Sequence, residues 1–86
     1  MKKFIEVSGT VVMLDDVLAV SSLTDALNCP SFYVSYKTGD RTIMFRGLKE
    51  GQVLPQANLS GNMQMVWSIT PINILREDVL SIITSD

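Results

Sequence analysis

The sequence contains no histidine, so a Ser–His or Cys–His catalytic pair cannot be assembled within one chain. The single cysteine, Cys29, cannot close an intramolecular disulfide, and with no histidine beside it a four-ligand zinc site is also excluded. A lone thiol fits a reducing compartment, and the expectation is a cytoplasmic protein. No apolar run approaches the ~18 residues a membrane helix needs, and Glu6 interrupts the Lys2-Lys3 start before a leader's apolar stretch forms. Phosphate-cradling glycine motifs are missing; Gly47-Leu48-Lys49-Glu50-Gly51 has the wrong spacing. No cofactor is expected.

Positive charge is scarce as well. Seven Lys plus Arg face nine Asp plus Glu, a net charge of −2, which argues against binding duplex DNA through phosphate contacts. Charged residues make up 19% of the chain, below the ~25% usual for globular domains, while apolar residues reach 47%. An 86-residue single domain with that balance is expected to cover some apolar surface with another copy of itself.

What is present reads mainly as strands. Phe4 to Val7 and Thr10 to Leu14 flank Ser8-Gly9, a two-residue hairpin signal, and Val17 to Val20 follows the Asp15-Asp16 break. Ser22 to Pro30 is expected as loop. Ser31 to Tyr36 and Arg41 to Phe45 form a second hairpin around Lys37-Thr38-Gly39-Asp40. Alternation puts Phe32, Val34 and Tyr36 on one face, with Tyr33, Ser35 and Lys37 on the other. Arg46 to Asn62 is an irregular excursion, and Met63 to Ile69 is a strand presenting Met63, Met65 and Trp67 together. Ile72 to Leu75 and Val79 to Thr84 read as two final strands about an acidic turn.

The expected fold is therefore all-β or mainly β. It would be a small barrel or twisted antiparallel sheet of six to seven short strands, with at most one short helix, in 22–28 or 48–59. Leu14-Asp15-Asp16-Val17-Leu18-Ala19-Val20 is similar to Leu75-Arg76-Glu77-Asp78-Val79-Leu80-Ser81-Ile82, with one extra residue in the second copy, which suggests a repeated strand–acidic turn–strand unit with Asp16 and Asp78 accepting from backbone amides. The stretch Ile74 to Ile82 also resembles the closing strand–turn–strand of Sm-like RNA-binding barrels, with Glu77 where that family carries glycine. That resemblance implies a small SH3-like barrel and transfers no RNA-contact residue.

Catalytic candidates are few. Asp15-Asp16 and Glu77-Asp78 are adjacent acids better suited to solvated turns than to acid–base work, and Cys29 has no neighbour that would activate it. The expectation is not an enzyme; a carboxylate- or Cys-dependent hydrolase or isomerase is the remote alternative. Tyr33, Tyr36, Lys37, Arg41 and Arg46 form a candidate ligand-binding set, because aromatic faces beside guanidinium groups suit nucleotide-like ligands. The bland reading is that the aromatics pack the core and the cations solvate the hairpin ends. Trp67 and Met65 are core or subunit-interface candidates. The functional expectation is a small binding module acting as a homo-oligomer. It would bind a protein partner or sequester a nucleotide-like ligand, in the manner of a phage or mobile-element accessory protein; a structural assembly subunit is the alternative.

Overall fold

A computed structural model describes residues 2–26, 29–38, 41–48, 59–60 and 63–85. Among those residues the chain is mainly β with a single C-terminal helix. Among the described residues, β1 (Phe4–Val7) and β2 (Thr10–Met13) make a two-stranded antiparallel sheet. The turn between them has positive φ at both central residues, Ser8 (49°) and Gly9 (84°), the requirement of the hairpin turn that matches strand twist.

The larger sheet has the order β3-β5-β6-β8-β7, with β4 also pairing β5. Its strands are β3 (Val17–Val20), β4 (Thr24–Ala26), β5 (Cys29–Tyr36), β6 (Thr42–Gly47), β7 (Leu59–Ser60) and β8 (Met63–Ser68). β3 and β4 run successively along β5 as one broken edge. At the break, Ser21 exchanges bonds with Tyr33: its amide donates to the Tyr33 carbonyl (2.8 Å) and its Oγ accepts from the Tyr33 amide (2.7 Å). The expected loop over Ser22 to Pro30 is thus corrected, because β5 begins at Cys29 and holds Thr24–Ala26 as a strand. That also removes the option of a helix across 22–28.

β6 and β8 pair in parallel, whereas the sheet form of the expected fold, offered beside a small barrel, was antiparallel. A parallel pair needs a connection of roughly a dozen residues or more, and the chain between Gly47 and Met63 is long enough. The expected excursion over 46–62 is shortened at both ends, since Arg46 and Gly47 belong to β6 and Leu59–Ser60 form β7. Residues 49–58, including most of the alternative helix position at 48–59, lie outside the described residues, as does Gly39-Asp40.

The largest correction is at the C-terminus. The two strands expected over Ile72–Leu75 and Val79–Thr84 are one helix, α1 (Ile72–Thr84). Ile72, Leu75 and Val79 are its buried residues, and Ile82 and Ile83 pack beside them. Those positions follow helical spacing, and neither glycine nor proline occurs inside the segment. Pro71 stands at the N-terminal boundary, where its carbonyl accepts from the amides of Ile74 and Leu75. At the far end Lys3 Nζ donates to the carbonyls of Ile83 and Ser85, both at 2.8 Å, neutralising the helix C-terminus. The Sm-like strand–turn–strand and the suggested repeat both fall with this finding. The first copy is a true turn in which Asp16 has φ 63°, whereas Asp78 is an exposed helical residue.

The core lies between the large sheet, the β1–β2 hairpin and α1. Val7, Val12 and Leu14 meet Phe32, Val34, Ile43, Phe45 and Val66, with Ile72, Leu75 and Val79 closing it. Phe32 and Phe45 oppose each other in register and stack at 5.0 Å. Gly47 permits the helix to sit this close: a Cβ there would lie 2.9 Å from Ile72 Cγ1 and 3.2 Å from Pro30 Cγ. Arg76 Nε donates to the Ser21 carbonyl (2.8 Å), tying the helix to the break in the edge strand.

Candidate functional site

The strand register sorts the candidate residues into separate places. The alternation expected along β5 holds: Phe32, Val34 and Tyr36 are buried on the core face, while Tyr33 and Ser35 are half-buried on the other. Tyr36 is thereby committed to packing. Its hydroxyl donates to the Met13 carbonyl, and the Arg41 guanidinium sits 4.9 Å from its ring centroid. Burial pushes the Tyr36 phenol above its ordinary value of 10.0, an effect that Arg41 partly offsets.

A neutral phenol in the folded state and a freely ionising one in the unfolded state fix the sign of the pH dependence. The contribution is fully present below about pH 10, declines as the pH rises through the raised native value, and then levels off. Tyr36→Phe is expected to lose about 0.5–1.5 kcal/mol at neutral pH, the size of one hydrogen bond, and to lack this alkaline decline. Urea denaturation of both proteins between neutral and strongly alkaline pH checks this; an identical alkaline slope in the variant would refute it.

Lys37 and Arg41 are exposed at the end of the β5–β6 hairpin. The Lys37 amide donates to the Asp16 carbonyl at 2.8 Å, and its side chain joins Lys3, Asp15 and Asp16 around a polar cleft of about 230 Å³. Arg46 lies five residues along β6 from Arg41, about 16 Å at strand rise, so the cations do not converge on one ligand.

A different group does come together. In register, Tyr33 opposes Met44 and Met44 opposes Met65, while Ser31 opposes Arg46 and Arg46 opposes Trp67. These residues share the sheet face opposite the core. The Arg46 guanidinium lies 4.8 Å from the Trp67 ring centroid, a cation–π distance. Met44 and Arg46 are buried, whereas Tyr33, Met65 and Trp67 are half-buried. Of the seven residues singled out from the sequence, Tyr33, Arg46, Met65 and Trp67 therefore belong to one face. Met44 was missed, although simple alternation in a hairpin already places it beside Tyr33.

The acids and the thiol are not brought together. Asp16 is at a turn, Asp78 is exposed on α1 and Cys29 is buried at the far end of β5. Among the described residues no group of three or more Cys, Asp or Glu could hold a metal ion, and no helix is long and apolar enough to cross a membrane. The larger cleft, about 370 Å³, is lined by Leu23, Asp25, Pro30, Pro71 and Ile72 among others, and contains none of the residues singled out from the sequence. The class defined by these observations is a mainly β domain with an aromatic, methionine- and arginine-bearing sheet face. Comparison of the chain with protein-family models, curated proteins and solved structures found no match.

Proposed function

We propose that this chain is a non-enzymatic binding module that acts as a homo-oligomer and engages a protein partner through Tyr33, Met65 and Trp67, the half-buried side chains of that face, with Met44 and Arg46 buried among them. The observation that carries the reading is the Arg46 guanidinium held 4.8 Å from the half-buried Trp67 ring. Trp, Tyr, Met and Arg are the side chains enriched where proteins bind one another, and Trp and Arg dominate the energetic anchors. The buried Arg46 guanidinium restrains the half-buried Trp67 ring before any partner arrives, which lowers the ordering cost of association. A nucleotide-like ligand is the weaker reading, because Tyr36 faces the core and Arg41 is already stacked on it.

Native mass spectrometry of gently purified protein distinguishes the two. Protomers carrying a second polypeptide support the proposal; a bound mass of a few hundred daltons would replace it with ligand sequestration. Trp67→Ala is then expected to weaken the recovered complex at least about tenfold, equivalent to ~1.4 kcal/mol, with an unchanged circular dichroism spectrum. Undiminished binding by that variant would overturn the assignment of the face.

A further inference from the structure

We propose that the outer edge of β4, with the cleft beside it, is a docking site for an extended peptide carrying a basic residue two positions before an aliphatic one. The site is separate from the Trp67 face and stands whether or not the chain self-associates. The Ser21 amide donates to the Tyr33 carbonyl, so by alternation Tyr33, Ser31 and Cys29 are the residues of β5 whose backbone addresses this edge. Thr24 opposes Ser31 and Ala26 opposes Cys29, and both are taken up in that ladder. Asp25 opposes Pro30, which has no amide to donate, so the amide and carbonyl of Asp25 point away from β5. Among the described residues nothing bonds to them.

The cleft of about 370 Å³ opens beside that edge. Asp25 and Pro30 are cross-strand neighbours, so their side chains share the face that carries Phe32, and Leu23, Pro71 and Ile72 complete an apolar slot there. Leu23 is 49% exposed, and Asp25 is the one charged residue among those lining the slot. These two side chains define the occupant. A strand added to β4 in the antiparallel sense, the slightly more stable one, sets one residue opposite Asp25 and the residue two positions later opposite Leu23. Both point to the cleft face. The first meets a carboxylate and is basic; the second meets Leu23, Pro71 and Ile72 and is aliphatic. Arg76, bonded to the Ser21 carbonyl, already holds positive charge beyond Leu23, which keeps the basic residue at the Asp25 end. A second copy of β4 is a poor occupant. Asp25 is the one residue of the strand with outward backbone groups, so self-pairing would set Asp25 against Asp25.

NMR titration of isotope-labelled protein with the peptide acetyl-Thr-Lys-Thr-Ile-Thr-amide tests the site. The Asp25 amide should shift saturably as it gains an acceptor, accompanied by Leu23 and Ile72. Glutamate in place of the peptide's lysine should weaken binding roughly fivefold, the scale of an exposed charge pair. Serine in place of its isoleucine should weaken it at least about tenfold, through the lost apolar burial. Asp25→Lys should reverse the preference between the lysine and glutamate peptides, an exchange that a merely structural role for Asp25 would not produce. No saturable shift at Asp25, or equal binding of the lysine and glutamate peptides, would overturn the proposal. Shifts confined to Tyr33, Met65 and Trp67 would also overturn it, and would move the peptide to the face proposed above.

Discussion

Truncating Phe45 to alanine is expected to remove about 3–5 kcal/mol of folding stability, the usual loss for a fully buried aromatic ring. Phe45 has no exposed surface, stacks on Phe32 at 5.0 Å and sits at the centre of the apolar cluster beneath α1. An ~86-residue domain holds about 4–13 kcal/mol in total, so this single change removes a large share of it. The melting temperature should fall by at least about 12 °C. The neighbouring aromatic partner makes the effect separable. Phe32→Ala and the double variant complete a cycle expected to report about 0.5–1.5 kcal/mol of coupling beyond area burial. Leu18→Ala is the control, since Leu18 is 65% exposed and should change stability by no more than about 0.5 kcal/mol. A Phe45→Ala protein that melts within a few degrees of wild type would show that the ring is not at the centre of the core.

Asp78→Pro is expected to cost about 3 kcal/mol or more, although the Asp78 side chain is exposed. The penalty is entirely backbone. Proline would remove the amide that bonds the carbonyl of Ile74 and drive its ring against the same carbonyl, in the middle of α1. Asp78→Ala should by contrast be neutral or stabilising by a few tenths of a kcal/mol, because alanine is the better helix former. Asp16 behaves in the opposite way. With φ at 63° it tolerates glycine, while Asp16→Val forces a β-branched residue into left-handed backbone. Urea denaturation followed at 222 nm separates these cases. A mild effect of Asp78→Pro would mean that 75–82 is a turn between strands after all.

The contrast between Asp16 and Asp78 shows where local sequence stops being informative. Both lie in an apolar–acidic–apolar segment, and the pattern alone permits a strand–turn–strand in either place. Ile72, Leu75, Val79 and Ile82 do carry helical spacing, but Ile72 and Ile74 also alternate as a strand would, and short segments satisfy both periods. The choice is made by the large sheet, whose apolar face of Phe32, Val34, Ile43, Phe45 and Val66 needs a second layer. A helix supplies that layer with its own backbone fully bonded. Gly47 clears the space for it, a role visible only once β6 lies beneath Ile72.

The sequence by itself determined the mainly β class, the Ser8-Gly9 turn, and the division of β5 into a core face and a face bearing Tyr33. Each depends on residues a few positions apart, where φ preference and two-residue alternation act directly. Only the tertiary structure decided that 72–84 is a helix, that β6 and β8 run parallel, and that Arg46 meets Trp67 while Tyr36 and Arg41 pair elsewhere. Those outcomes depend on register between strands far apart in the chain. That register is set by which apolar faces can be buried together, a property of the assembled layers and not of any one segment.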